Sequence, residues 1–402
     1  MKIIITHPHG NQNTSKAVEL IEKLNFLDSF WTTFASPFNI MIFKKKFYNV
    51  QFKKIRFRFL KEFLRKICLF LKLKKLYLHD YSIFSVNSIY KDIDLSVTNY
   101  LRIKKKKINI IYSYEDCSLN SFKLASKIGV KTIYDLTSPY WLLKKRILEE
   151  EVNLQPDWNL SSSEVVTEKK CKNKDEEISL SDQIIVASSF TANSLEFFEQ
   201  NIKSKINIVP YGITCPIKKI INKRHKNDKL KIIFVGRPTL SKGIQYLIQI
   251  LDQLDFPWEL EIAGSIPEKP HQISQKLDLL FKDPRCKFLG QIQNKNLLKK
   301  MRESHIFLFP SLFEGFGQVL LEALSCGLPL ITTNNTAGLD IIDDGKNGFL
   351  TPIRDTKKTI NIIHNLYQNE ELRLSIADNG FTRASDFSWT KYQNEVSKII
   401  KS

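Results

Sequence analysis

Along the first half of the chain, short β-branched runs alternate with amphipathic stretches. Residues 2–6, 108–112, 131–134 and 183–187 read as strands. A turn at Pro8–Gly10 leads into a helix over 14–24. Each strand is followed by a loop and an amphipathic stretch, the rhythm of βα units on a parallel sheet. Near 210–229 the rhythm breaks. Pro210, Gly212 and Pro216 precede a polar, basic stretch over 218–231, which reads as a linker. Then the rhythm restarts, with strands at 231–235, 259–263, 287–289, 306–309 and 330–333 and an extended piece at 348–350. Helices are expected over 246–254 and 318–325. The pattern predicts an α/β chain of two successive halves without a short repeat. The acidic segment 149–177, with Ser161, Ser162 and Ser163 at its centre, reads as a loop of the first half, either a surface insertion or a lid.

Composition sharpens this picture. With 43% hydrophobic and 26% charged residues, the chain is an ordinary folded protein. Only Ile3 to Ile5 follow Lys2 before His7 and Pro8, too short for a signal sequence, and no run of about 18 apolar residues occurs. A cytoplasmic protein is expected. Of the six cysteines, none forms a C-x-x-C pair or a zinc spacing, which predicts reduced, mostly buried thiols.

The net charge of +19 is uneven. Between Lys44 and Lys75 the only acid is Glu62, and Arg102 with Lys104 to Lys107 forms a second basic run. Such patches suit nucleic acid, acidic lipid or phosphorylated substrates. A lysine-, isoleucine-, asparagine- and phenylalanine-rich composition, as AT-biased coding produces, explains part of the excess as well. Within 52–75, Ile55, Phe59, Phe63, Ile67 and Phe70 approximate helical spacing. This is either a helix lying on an anionic membrane or a core helix with a lysine-rich outer face.

Two motifs carry chemistry. In 310–330 a strand runs into a loop with Glu314, Gly315, Phe316 and Gly317, and a helix then opens with Glu322 near its start. A helix N-terminus presents unpaired N–H groups to an anion, and glycines let a ligand approach the backbone. Carboxylates accept hydrogen bonds from sugar and ribose hydroxyls, although Glu322 could equally be a favourable acid in a first helical turn. In 234–243 a strand ends at Gly236, and Arg237 and Lys242 follow. Two cations beyond a parallel strand sit where open α/β sheets bind ligands, and both bind phosphate.

Glu314-x7-Glu322, preceded by Gly236-Arg237-x4-Lys242-Gly243, resembles glycosyltransferase family 4, of the GT-B fold. Supporting segments stand at 182–189, 208–213, 288–290, 344–348 and 387–389. The likeness covers about 180–402 well and the first half loosely. It implies two Rossmann-like domains facing across a cleft, an acceptor-binding one over 1–215 and a nucleotide-sugar-binding one over 216–387, with a last helix at 388–402 crossing back. It implies retention of configuration without a metal or other cofactor. Arg237 and Lys242 would bind the donor diphosphate, and Glu314 the donor sugar, helped by the Phe316 and Gly317 amides. Glu322 would hold the ribose, and the backbone at Gln291 and Ile292 would face the base. Gly10 and Asn11 would form the first-domain loop near the phosphates, where the family often has a Gly-Gly pair.

A histidine that many members carry near the transferred sugar is missing from 132–139, where Asp135, Thr137 or Ser138 stand instead. His7 and His9 sit in the first βα loop, in a site role or a structural one. Asp92 and Asp94 have the spacing of a metal motif but read as a surface feature. The partners implied are a nucleotide-sugar and a glycan or lipid-linked acceptor, with an anionic membrane surface as a further candidate. Polysaccharide assembly at the inner face of the cytoplasmic membrane is the expected setting. A nucleic-acid-binding protein or a catalytically inactive GT-B scaffold are the alternatives, and an epimerase or phosphorylase of the same fold is a further one.

Overall fold

The computed structural model describes residues 1–33, 50–78, 82–104, 107–160, 164, 166–214, 223–225, 228–265 and 270–402. Lys44, Lys105, Lys106, Ser161 to Ser163, Cys215, Pro216 and, of the expected linker, residues 218–222 and 226–227 lie outside the described residues.

The first domain carries strands β1 (Ile3–Thr6), β2 (Leu27–Thr32), β3 (Ile55–Phe57), β4 (Ile110–Tyr114), β5 (Lys131–Leu136), β6 (Gln183–Val186) and β7 (Ile206–Ile208). They form one parallel sheet in the order β3-β2-β1-β4-β5-β6-β7. Between them run helices α1 (Gln12–Lys23), α2 (Phe59–Phe70), α3 (Val86–Lys104), α4 (Leu119–Ile128), α5 (Trp141–Leu154), α6 (Glu168–Ser179) and α7 (Ser189–Ser194). Successive strand residues point to opposite faces, and both faces are covered. Ile3, Ile5, Ile110, Tyr112 and Ile133 fill one core, and Ile4, Ile111 and Tyr134 fill the other.

The second domain carries β8 (Leu230–Val235), α8 (Ile244–Leu251), β9 (Trp258–Ala263), α9 (Gln275–Lys282), β10 (Cys286–Gly290) and α10 (Asn294–Glu303). There follow β11 (Ile306–Phe309), α11 (Gln318–Ser325), β12 (Leu330–Thr333), α12 (Gly338–Ile341), β13 (Phe349–Thr351), α13 (Thr356–Gln368) and α14 (Glu370–Ala384). Its sheet runs β10-β9-β8-β11-β12-β13, also parallel. The order reverses at β1/β4 in the first sheet and at β8/β11 in the second, and crevices at such switch points are where these sheets bind ligands.

The last helix, α15 (Trp389–Lys401), packs on α1 and buries Trp389, Tyr392, Val396, Ile399 and Ile400 in the first-domain core. Gly212 has no room for a side chain because the α15 backbone at Trp389 passes over it.

Three expectations need correction. Most of 149–177 is helical, in α5 and α6, because Glu151, Cys171, Lys174 and Glu177 turn inward beside the buried Ile147, Leu148 and Ile178 that flank the stretch. The basic stretch is not a core helix: in α2 only Glu62 and Cys68 are buried, and Phe59, Leu60, Phe63 and Ile67 are exposed, with Phe70 at 86%. Asp94 is no surface acid. It is buried in α3 and accepts from the Asn120 and Ser121 amides at 2.7 and 2.9 Å, closing the start of α4. Its neighbour Asp92 pairs with Arg58. The described cysteines are all free, four of them buried.

Candidate functional site

Because β8 and β11 pair in parallel, the loops that leave them emerge side by side. They are also stapled together. The Leu312 amide and the Ser311 hydroxyl both donate to the Ser241 carbonyl at 2.9 Å. This brings Lys242 against Glu314 in an ion pair, and the Lys242 ammonium lies 5.6 Å from the Phe309 ring centroid. The Glu314 amide donates to the Asn335 carbonyl at 2.9 Å, fixing the loop from behind. Arg237 is exposed just past Gly236 and has no hydrogen bond or ion pair among the described residues.

At Gly315 the two domains meet backbone to backbone. A Cβ there would stand 1.9 Å from the Thr137 carbonyl oxygen. The Gly315 carbonyl accepts from the Ser188 and Thr191 hydroxyls of the first domain, the latter at 2.9 Å. Gly317 precedes α11 at φ 75°, a left-handed conformation that glycine adopts without strain. Phe316 is buried with its ring 4.9 Å from that of Tyr211.

Other contacts hold the domains together around this point. Buried Glu151 accepts from Gln245 at 2.8 Å and from Arg354 at 2.9 Å. Ser189 donates to Asp340, and Gln318 reaches the Gly212 carbonyl at 2.9 Å.

A cavity of about 470 Å³ opens between the domains. Arg237, Lys242, Glu314 and Gly315 line one wall, with Ser241 and Phe313. Thr137, Ser138, Pro139, Trp141, Lys144 and Leu148 line the other. The fold therefore brings four of the candidate residues onto one surface, together with two of the three residues in the segment that lacks the histidine.

The remaining candidates lie elsewhere. Glu322 is the fifth residue of α11, in its second turn, so neither a start-of-helix position nor a first-turn role describes it. It accepts from Asn294 Nδ2 at 2.7 Å; burial pushes its carboxyl pKa up, and that hydrogen bond opposes the shift. Asn294 opens α10, just past exposed Gln291 and half-buried Ile292, so these three candidates share one neighbourhood outside the cavity wall.

Gly10 and Asn11 are engaged locally. The Gly10 amide donates to His7 Nδ1 at 2.7 Å, and Asn11 caps α1 by accepting from the Thr14 amide at 2.9 Å. Buried His7 packs on Tyr114 at 4.0 Å, and His9 faces Tyr90 edge-on.

Asp135 faces inward, not into the cavity. With His7, Thr14 and Tyr114 it surrounds a void of about 10 Å³ and accepts from the Tyr112 hydroxyl at 3.0 Å. Burial pushes its carboxyl pKa up to about 7. Thr137 donates to the Tyr114 hydroxyl at 3.0 Å, and Ser138 accepts from Lys144 at 2.7 Å.

Sequence reasoning missed Lys144 and Trp141. Their signal was weak: an apolar-basic run after Pro139, with no motif spacing. Among the described residues, no group of three or more His, Cys, Asp or Glu could hold a metal. No described helix is long and apolar enough to cross a membrane.

Comparison with known proteins agrees with this layout. Residues 217–383 match the family model for glycosyl transferases group 1, which bears out the resemblance over the second domain. An uncharacterised glycosyltransferase of Methanocaldococcus jannaschii is 30% identical over 221 residues, covering 55% of this chain and 60% of that relative. The capsular polysaccharide biosynthesis glycosyltransferase CapM of Staphylococcus aureus is 30% identical over 225 residues, covering 50% of this chain and 57% of CapM. The chain thus matches little more than half the length of these relatives. In fold, sucrose-phosphate synthase of Thermosynechococcus elongatus superposes at a TM-score of 0.70 and 16% identity, covering 100% of this chain and 98% of the other. Anabaena HepE in complex with UDP and glucose does so at 0.63 and 14%, covering 100% and 99%. The fold is GT-B, two Rossmann-like domains across a cleft.

Proposed function

We propose, from a second domain of the group 1 glycosyl transferase type, that this chain is a retaining glycosyltransferase. It moves a sugar from a nucleotide-sugar to a glycan or lipid-linked acceptor and needs no metal. One observation carries the reading: Arg237, Lys242, Glu314 and Gly315 share one wall of an interdomain cavity at the second sheet's switch point. HepE, solved with UDP and with UDP-glucose, supports a nucleotide-sugar as donor, and CapM's name supports a role in polysaccharide assembly.

In this reading Arg237 forks onto the donor diphosphate. Lys242 exchanges its contact with Glu314 for a phosphate oxygen, and Glu314 is released to the sugar hydroxyls. The α11 amides near Gly317 face the same anion. Glu322 holds the ribose, and the backbone at Gln291 and Ile292 faces the base. As the glycosidic bond lengthens, the sugar gains oxocarbenium character and the leaving diphosphate gains charge. Cations already in place stabilise that charge without reorganising. The acceptor hydroxyl enters from the face the diphosphate leaves and gives its proton to the departing diphosphate oxygen, so configuration is retained. Proton NMR of the sugar released or transferred, in the presence of EDTA, tests this. The expected product has the donor's anomeric configuration; inversion, or a requirement for added metal, contradicts it.

We also propose that the first domain docks on the anionic inner face of the cytoplasmic membrane. Helix α2 leaves Phe59, Leu60, Phe63 and Phe70 in water, among Arg56, Arg58, Lys61 and Lys66. Each large side chain left exposed forgoes about 1.5–3 kcal/mol of burial. A bilayer interface recovers it, and the basic neighbours supply attraction to acidic headgroups. Flotation with vesicles containing phosphatidylglycerol is expected to carry the protein upward, and neutral vesicles are not. Equal recovery from both, or from neither, contradicts docking.

A further inference from the structure

The donor reading uses the cations of the second-domain wall and leaves Lys144, on the opposite wall, unused. Lys144 stands in the first turn of α5, and its ammonium donates to Ser138 Oγ at 2.7 Å. Among the described residues no carboxylate is within ion-pair distance of it. Glu115 and Asp116, the acids that act on it, are already paired with Lys174. Burial, reinforced by Lys174, pushes its pKa down to about 8.

Lys144 is half-buried on the cavity lining, and an ammonium there whose nearest acids are engaged elsewhere is relieved by a ligand anion. The location says which part of a ligand would do so. Ser138 Cα lies 3.2 Å from where a Gly315 Cβ would stand, so the anchor of Lys144 adjoins Glu314 and the sugar end of the donor. Around it Pro139, Trp141 and Leu148 offer an apolar surface suited to the face of a sugar ring, and Lys145, Glu149 and Glu164 add charges of both signs to the same wall.

We propose that Lys144, with Ser138 and Thr137, forms a subsite for an acidic group, a carboxylate or phosphate, carried by a sugar held in this cavity. The substrate is then an acidic glycan, not a neutral one. This rests on the donor-site reading. The acid belongs either to the transferred sugar or to the acceptor, and the test separates the two.

Calorimetry would compare UDP, UDP-glucose and UDP-glucuronate on wild type, Lys144→Gln and Lys144→Arg. A second arm would titrate glucuronate, glucose 6-phosphate and glucose into the UDP-loaded protein. In one of the two arms wild type should favour the acidic ligand by about tenfold to a hundredfold, as a charged hydrogen bond supplies. Preference in the first arm assigns the acid to the donor sugar, and in the second to the acceptor. Lys144→Gln should abolish that preference, and Lys144→Arg should keep most of it. Three outcomes overturn the proposal: UDP binding with no acid preference in either arm, a preference that survives Lys144→Gln, or an equal loss of affinity for UDP itself, which would make Lys144 a diphosphate ligand. If wild type binds no uridine nucleotide, and no guanosine or adenosine one in the same screen, the donor reading falls and this inference falls with it. If another base binds, the same comparison is made with that nucleotide's sugars.

Discussion

The two walls of the interdomain cavity are built from different materials. The second-domain wall carries its side chains, Arg237, Lys242 and Glu314, on backbone that is held tightly: a glycine pressed on Thr137 and two loops stapled at the Ser241 carbonyl. The first-domain wall is chiefly side chains, Trp141, Lys144, Leu148 and Glu149 from α5 and Leu160, Glu164, Val166 and Cys171 from the chain that follows it, beside the 137–139 loop. Backbone geometry tolerates few substitutions, whereas side chains on a helix can change without moving the fold. The difference teaches where each property resides. In the proposed reading, requirements shared by any nucleotide-sugar fall to the second-domain wall, and selectivity for a sugar falls to the first-domain one.

The largest expected effect comes from spoiling the rigid wall. Gly315→Ala puts a methyl group 1.9 Å from the Thr137 carbonyl oxygen, so the Glu314 loop must retreat. A displacement of about 1 Å costs roughly a hundredfold in rate, so steady-state transfer by Gly315→Ala should fall that far while the far-ultraviolet circular dichroism stays native. A smaller effect separates the two cations. Arg237→Ala loses a charged, unpaired donor and should weaken nucleotide binding by about tenfold to a hundredfold. Lys242→Ala should cost less, since Lys242 must first leave Glu314. Titration calorimetry ranks the two, and the reverse order would contradict the assignment of roles.

The same difference explains what was legible in the sequence. Strands β8, β11 and β12 and helix α11 stand out because apolar runs end abruptly at glycines and prolines. Gly236, Arg237, Lys242, Glu314 and Gly317 are recognisable because their spacing is set by backbone turns. Lys144 had no such spacing. The helical α5 and α6 passed for a loop because their buried residues are few and scattered among charges. Strands β2, β3 and β7 were overlooked. Two of them are only three residues long, and β2 mixes Asp28 and Ser29 into its run. In α2 the periodicity was visible, but periodicity says only that a helix has an apolar face. Helix α15 buries such a face in the first core, whereas α2 leaves its own in solvent.

A subtler test concerns Asp135, which the sequence offered as a stand-in for the missing histidine and which the fold turns inward. Its raised pKa means that the folded state prefers the protonated carboxyl. The stability it contributes is full below the unfolded value of about 4 and is lost as pH rises through about 7. Replacing it by Asn removes that dependence. The melting temperature of Asp135→Asn relative to wild type should therefore rise from about pH 4 to about pH 7 and level off above it, and a flat difference would show an ordinary carboxyl. The smallest effect on the fold is expected in α2. Phe70→Ser should leave the melting temperature within about a degree, because exposed substitutions change stability by less than about 0.5 kcal/mol, yet reduce flotation with anionic vesicles several-fold.

The central claim, that the second-domain wall is a nucleotide-sugar site, is tested most directly by calorimetry in EDTA. UDP-, GDP- and ADP-sugars would be titrated into wild type, Arg237→Ala and Glu322→Ala. The account predicts that one nucleotide binds wild type without metal and that its affinity falls at least about tenfold in both variants. A well-folded wild type that binds none of them, or variants that bind as tightly as wild type, would contradict it.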